Sequence, residues 1–297
     1  MTEALHVPPG VDPTVPAPAR MYDYFLGGES NFPADRAAAD RVRETIPEVI
    51  DAAWANRGFH QRAARWLAAR GIRQFLDIGS GLPTVGNTHE IVQRVAADAR
   101  VVYVDHDPLV IAHAAGLLTD PAAARVIQAD LRDPDSVLNH PSLRALIDFA
   151  EPAAVMMTAV THFVAPEEDP WGLVARYVAA LCPGSYLALS QVTDEKTPPL
   201  SVRVAEEMYA RSDSNLYFRS RADVERFFAG LEMVSPGRGT PAAVMHAGEW
   251  GADDPALADS DGSRWSYCGV GRVPGKTGKP SAAAAGQPQQ EQEQQEE

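Results

Sequence analysis

The stretch Gln74-Phe-Leu-Asp-Ile-Gly-Ser-Gly-Leu-Pro-Thr-Val-Gly-Asn87 decides how the rest of the chain is read. Its apolar run, Phe75 to Ile78, stops at Gly79, and the chain turns through Ser80 and Gly81. An apolar run ended by glycines predicts a buried parallel strand feeding a tight loop. Asn87-Thr-His-Glu90 comes next, ahead of Ile91, Val92 and Val95, and predicts a capping-box start to an amphipathic helix. Strand, glycine loop and helix form the front half of a nucleotide-binding βα unit. Glycine lets the backbone approach a ligand closely, and the loop sits at the strand's carboxyl end, where such sheets bind ligands.

A dinucleotide site needs Gly-x-Gly-x-x-Gly, and here the last position is Thr84, preceded by Pro83. An NAD-dependent oxidoreductase is disfavoured on that ground, and no Gly-Lys-Ser/Thr is present to make a phosphate loop. The second strand, Val101-Val-Tyr-Val-Asp105, ends in a carboxylate whose two oxygens match the two adjacent hydroxyls of a ribose. The plainer reading is that Asp105 caps the helix opening at Pro108, although Asp107, immediately before that proline, fits the cap better. Asp77-Ile-Gly-Ser-Gly81 followed by an acidic strand end resembles the first motif of class I S-adenosylmethionine-dependent methyltransferases.

Working outward, strands are expected at 74–78, 100–104, 125–129, 153–159 and 185–192, with helices near 87–97, 108–118, 134–148 and 170–182 between them. Strand–helix alternation at this spacing implies a parallel sheet covered on both faces. Further helices are expected near 199–212 and 221–229, then strands near 231–234 and 264–272. That this last pair closes the sheet in antiparallel fashion is implied by the methyltransferase resemblance. Ahead of the sheet, residues 1–18 are proline-rich and predict an extended, poorly ordered arm. Residues 19–72 predict helices at 19–26, 34–46 and 47–70, a helical lid or cap that the central sheet does not itself require. The binding domain then covers 73–273, and the Gln/Glu-rich tail 274–297 is expected to be disordered.

The chain's formal charge is −14, and no Lys/Arg cluster is longer than a pair. The tail holds two Lys and four Glu, so the remainder still carries −12. This disfavours nucleic acid and anionic membrane surfaces, both of which reward clustered positive charge. Two cysteines, Cys182 and Cys268, in apolar surroundings make neither a disulfide framework nor a metal pattern and suit a reducing cytoplasm. The first residues lack the basic end and apolar run of a signal peptide, and no stretch approaches 18 continuous apolar residues. A cytoplasmic protein acting on a small-molecule partner, as monomer or homodimer, is the expectation. No metal site is expected, and there is no Gly-x-Ser-x-Gly elbow or His-Glu-x-x-His.

The resemblance sharpens in three stretches. Ala19-Arg-Met-Tyr-Asp-Tyr-Phe-Leu-Gly-Gly-Glu-Ser-Asn-Phe-Pro-Ala-Asp-Arg36, Gln74 to Thr84, and Val102-Tyr-Val-Asp-His-Asp-Pro108 are together similar to the actinobacterial S-adenosyl methyltransferase family once filed as DUF574. The similarity covers about residues 19–272, and His106 stands where the family pattern has Asn. It implies an α/β, Rossmann-like sheet, parallel with an antiparallel closing strand and an N-terminal helical lid, and S-adenosylmethionine as cofactor. Cofactor contacts are then implied for Asp77, Gly79, Ser80, Gly81 and Pro83, for Asp105 and His106, for Asp130 and Leu131 beside the adenine, and for Thr158. Tyr24, Gly28 and Asn31 would join them from the N-terminal motif, with Tyr22, Arg36 and Phe163 toward the acceptor substrate. His162, at the end of the fourth strand, is placed either to act as a base or to shape the pocket. Residues 19–36 read as a mobile lid hinged at Gly27 and Gly28, or else as a fixed cap. A donor-binding regulatory protein without methyl transfer is the alternative function, and an acceptor pocket blocked by side chains would favour it.

Overall fold

The computed structural model describes residues 7–275, apart from residues 85, 213, 238 and 255–257. Most of the tail expected to be disordered therefore lies outside the described residues. The strands are β1 (Gln74–Ile78), β2 (Arg100–Asp105), β3 (Ala124–Gln128), β4 (Ala154–Thr158), β5 (Tyr186–Val192), β6 (Glu232–Met233), β7 (Met245–His246) and β8 (Ser266–Arg272). They form one sheet in the order β3-β2-β1-β4-β5-β8-β6, with β7 also on β8. The first five are parallel, and β8 runs antiparallel to β5 from Tyr186↔Arg272 to Val192↔Ser266. The chain leaves β1 toward β2 and β3 and returns to β4 on the other side. The loops after β1 and β4 part at that point and leave a crevice, where doubly wound sheets hold ligands.

Every residue of β1 is buried, as expected of a central strand covered on both faces. Phe75 faces α3 (Val49–Ala69) and α4 (Thr88–Val95), in a cluster with Phe59, Leu67, Ile91 and Val92. Leu76 and Ile78 face α6 (Pro134–Leu138), α7 (Pro141–Arg144) and α8 (Pro170–Ala179), packing with Val137, Leu143 and Val174. Burying one such side chain is worth about 1.5–3 kcal/mol, so these two layers dominate the favourable side of folding. The capping box opens α4 as read, with Asn87 N donating to Glu90 Oε2 at 3.0 Å.

Three expectations need correction. The helix expected over 134–148 is two, because Pro141 has no N–H to continue the first; His140 instead accepts from Ser142 N at 3.2 Å and starts the second. The third N-terminal helix, α3, is not an addition to the sheet but one of its covers, contacting β4, β5 and β8. What caps the crevice is α1 (Pro18–Phe25) and α2 (Pro33–Thr45), packed on α9 (Pro199–Tyr209) through Met21, Phe25, Val42 and Met208. Finally, residues 7–17 run through turns at 9–10 and 13–14 and are not loose. Pro8 and Ala17 are buried, and Val11 packs on Phe32, Leu82 and Leu109. Asp35, fully buried, ties this arm to both helices: it accepts from Ala17 N at 2.9 Å, from Phe32 N at 2.8 Å and from Arg20 Nε at 3.0 Å. Three donors on one carboxylate offset the cost of taking it out of water.

Candidate active site

The crevice opens into a cavity of about 190 Å³. Of the residues singled out in the sequence, Tyr22, Gly79, Ser80, Gly81, Asp105, His106, Leu131, Thr158, His162 and Phe163 line it. The others do not. Asp77 is buried beneath the loop, and Pro83 faces a smaller cleft with Arg57 and Thr88. Asp130 accepts from Arg132 N at 2.8 Å and is not on the wall, to which this turn contributes Ala129, Leu131 and Arg132.

The loop after β1 is built around Asp105. Gly81 N donates to its Oδ2 at 2.9 Å, and Asp107 N donates to Oδ1 at 3.0 Å. Asp107 is the helix cap, accepting from Leu109 N at 2.7 Å at the start of α5 (Pro108–Leu117). Each oxygen of Asp105 thus keeps a lone pair for a ligand, and the residue is only 7% exposed. Burial raises its pKa from the ordinary carboxylate value, partly offset by those backbone donors. Gly79 has φ 68° and donates its N–H to Val104 O at 2.8 Å, pinning the loop to β2. At the end of β4, Ala159 holds φ 56°, a conformation costly for a residue with a Cβ and one that gathers at functional sites.

A buried relay below the cavity was not anticipated. Thr88 Oγ1 donates to Asp77 Oδ2 at 2.6 Å. Its one proton is then spent, so His60 Nε2, 2.8 Å away, must donate to Thr88. His60 Nδ1 is left to accept from Thr158 Oγ1 at 2.9 Å. Burial pushes Asp77 up to about 6, against the Thr88 hydrogen bond and the charge of Arg57, with Asp105 adding to the rise. Since the folded pKa exceeds the ordinary value of 3.8, the folded state holds the proton more tightly. Stability from this group is complete below pH 3.8 and is lost as pH rises to about 6. Asp77→Asn should therefore gain on the wild type between pH 4 and 7 in donor-free protein, by about 3 kcal/mol at most. Urea unfolding at the two pH values checks this, and parallel profiles would refute it.

The N-terminal motif does more than line the cavity. Asp23 accepts from Ser30 N at 2.9 Å, Asn31 Nδ2 at 2.8 Å and Thr84 Oγ1 at 2.7 Å. Gly28 is required beside it, because a Cβ there would lie 2.1 Å from Asp23 Oδ1. Arg36 holds Asn31 through its main-chain oxygen at 2.8 Å, and Tyr24 donates to Asp40 at 3.2 Å. So Gly28, Asn31 and Arg36 build a clamp on the glycine loop, attached through Asp23 at Thr84, while Tyr24 ties α1 to α2. Ala19, Tyr22 and Phe25 of this motif reach the cavity, the Tyr22 hydroxyl donating to Ala53 O at 3.0 Å and accepting from Asn56 Nδ2 at 2.9 Å. Sequence reasoning missed Asn56, Arg57 and His60, which enter from α3, and the aromatic wall of Tyr209, Phe218 and Trp265. Among the described residues no group of His, Cys, Asp and Glu could hold a metal ion, and no helix is long and apolar enough to cross a membrane.

A sheet of this order, with a glycine loop and a carboxylate at its crevice, defines a class I S-adenosylmethionine-dependent methyltransferase. The family described as S-adenosyl methyltransferase matches residues 5–274, and the chain belongs to it. A Thermobifida fusca protein solved as a candidate methyltransferase is 41% identical, with a TM-score of 0.82 over 90% of this chain and 98% of its own. A DUF574 family protein from Streptomyces avermitilis is also 41% identical, with a TM-score of 0.81 over 88% and 98%. A search of curated proteins returns no match. S-adenosylmethionine is therefore the cofactor, and the residues present fit it. Asp105 has acceptor capacity to spare, Ser80 Oγ is buried without a partner among the described residues, and a Cβ built on Gly81 meets nothing within 4 Å.

Proposed function

We propose that this methyltransferase acts on a small molecule, bound in the same cavity as the donor. Asp105 and the Gly79–Gly81 loop grip the donor's adenosine, while Thr158, His162 and Phe163 form the junction with the acceptor substrate. The observation that carries this reading is continuity: the strand-end loops and the apolar wall under α1, α2 and α9 line one cavity. Side chains do not block its far end, which favours methyl transfer over a purely regulatory donor-binding role.

Bound S-adenosylmethionine supplies a methyl group already activated on a sulfonium. The chain's own residues have to orient the two reactants and exclude water, and orientation alone can supply much of the rate. Tyr22 and Phe25 close the cavity from above, and burial keeps the Tyr22 phenol neutral by raising its pKa. His162 is pushed down to about 3 by burial and by Arg219, so it is a weak base at neutral pH and positions rather than deprotonates.

The test is transfer of label from S-adenosyl-[methyl-³H]methionine by purified protein to fractionated cell extract. Label should enter the low-molecular-weight fraction. Label in protein or nucleic acid would overturn the small-molecule reading, and no incorporation would favour the regulatory one.

A further inference from the structure

Past Thr158 and Ala159 the cavity changes character. Its far wall is made by Phe25, Ile46, Phe163, Tyr209, Phe218 and Trp265, contributed by separate parts of the chain. Apart from Asp105, whose spare acceptors face the donor, the charged residues elsewhere on the lining are engaged. Arg57 donates to Gly86 O at 3.1 Å, Asp107 caps α5, and Arg132 donates to Glu168 Oε1 at 3.0 Å. Burial raises the Tyr209 phenol to about 12, so this wall is neutral at physiological pH. Taking a charge out of water without a counter-charge is very costly, so an ionised acceptor substrate has no place here.

His162 lines the cavity with a side chain 5% exposed, and neither ring nitrogen has a hydrogen-bond partner among the described residues. Nδ1 is sealed inside, so Nε2 is the nitrogen that a ligand can reach. A polar atom facing an apolar wall gains by pairing with a ligand group placed opposite it, roughly 1–3 kcal/mol. The imidazole stands edge-on to Phe163, centroids 4.3 Å apart at 72°, so its direction is set by packing. Being neutral, the ring offers one lone pair and one N–H, and a hydroxyl can use either.

We propose, resting on the small-molecule reading above, that the acceptor substrate is an uncharged aromatic alcohol, its ring against Phe163, Tyr209 and Trp265 and its hydroxyl hydrogen-bonded to His162. Flat rings suit a wall of aromatic faces and edges, and such pairs are favourable beyond their buried area.

The experiment is calorimetry on the full-length protein saturated with S-adenosylhomocysteine, using three probes at pH 7. These are 2-naphthol, which is neutral, 2-naphthoate, which is charged, and 2-methylnaphthalene, which lacks the hydroxyl. 2-Naphthol should bind best, 2-naphthoate about tenfold or more weaker, and 2-methylnaphthalene about 3- to 10-fold weaker. His162→Ala should bring 2-naphthol down to the level of 2-methylnaphthalene while S-adenosylhomocysteine still binds, which also shows that the variant folds. If that variant does not fold, the wild-type ranking stands as the test by itself. Equal binding of naphthoate and naphthol, equal binding of naphthol and methylnaphthalene, or no probe bound beside S-adenosylhomocysteine would each overturn the proposal and leave the small-molecule reading standing. Wild-type protein that fails to bind S-adenosylhomocysteine would overturn both.

Discussion

Gly79→Ala is expected to destabilise the protein by about 2–5 kcal/mol and to abolish measurable donor binding. Two independent costs add. Gly79 sits at φ 68°, a left-handed conformation that costs an L-residue about 1–2 kcal/mol. A Cβ built there would also lie 2.2 Å from Val160 Cγ2 and 2.6 Å from Val160 Cβ, and forcing extra volume into a packed site costs about 1–3 kcal/mol more. Val160 belongs to the cavity wall after β4, so relief by moving it would distort the wall beside the glycine loop. A double-mutant cycle separates the costs: Val160→Gly should be less harmful in the Gly79→Ala background than in the wild type. Wild-type-like melting of Gly79→Ala would show that the loop is not held as described.

The second large effect is on acid stability. His162 goes from an ordinary value of 6.5 to about 3 through burial, with Arg219 adding to the fall. A depressed histidine favours the folded state while neutral, so its contribution is complete above pH 6.5 and is lost as pH falls toward 3. The full span corresponds to about 5 kcal/mol as an upper bound. His60, also pushed well below its ordinary value by burial and then by Arg57, acts in the same direction. Asp77 acts in the opposite one, so single variants are needed to separate them. His162→Gln should flatten the loss of stability between pH 6.5 and 4, measured by urea unfolding at each pH. A variant whose profile runs parallel to the wild type would mean that His162 is charged or solvated in the folded protein.

How much of this was legible depends on whether the signal was local. β1 was placed to the residue because a strand covered on both faces must be apolar throughout, and Asp107 was read as the cap because it directly precedes Pro108. The antiparallel β8 followed from family resemblance and not from its own pattern, and the two-residue β7 has no pattern to read. The Arg20–Asp35 pair joins residues that carry no mark of each other until α1 and α2 are folded. Gly28 and Asn31 were given to the cofactor because residue type cannot distinguish a ligand from Asp23 as the group they serve. Asn56, Arg57 and His60 did carry a sign. They share the buried stripe of α3 with Ala53, Ala63 and Leu67, and polar groups in such a stripe need partners. Thr84 shows both sides: as the missing third glycine it argued against NAD, while its hydroxyl bond to Asp23 became visible only in the fold.

The central claim is that Asp105 and the glycine loop hold S-adenosylmethionine at the crevice between β1 and β4. Calorimetric titration of the wild type and of Asp105→Ala with S-adenosylmethionine, and of the wild type with NAD, tests it most directly. The wild type should bind S-adenosylmethionine at one site and NAD far more weakly. Asp105→Ala should lose about 1.5–3 kcal/mol of affinity, the scale of hydrogen bonds to a charged group. Unchanged affinity in Asp105→Ala, or NAD binding as tight as S-adenosylmethionine, would contradict the account.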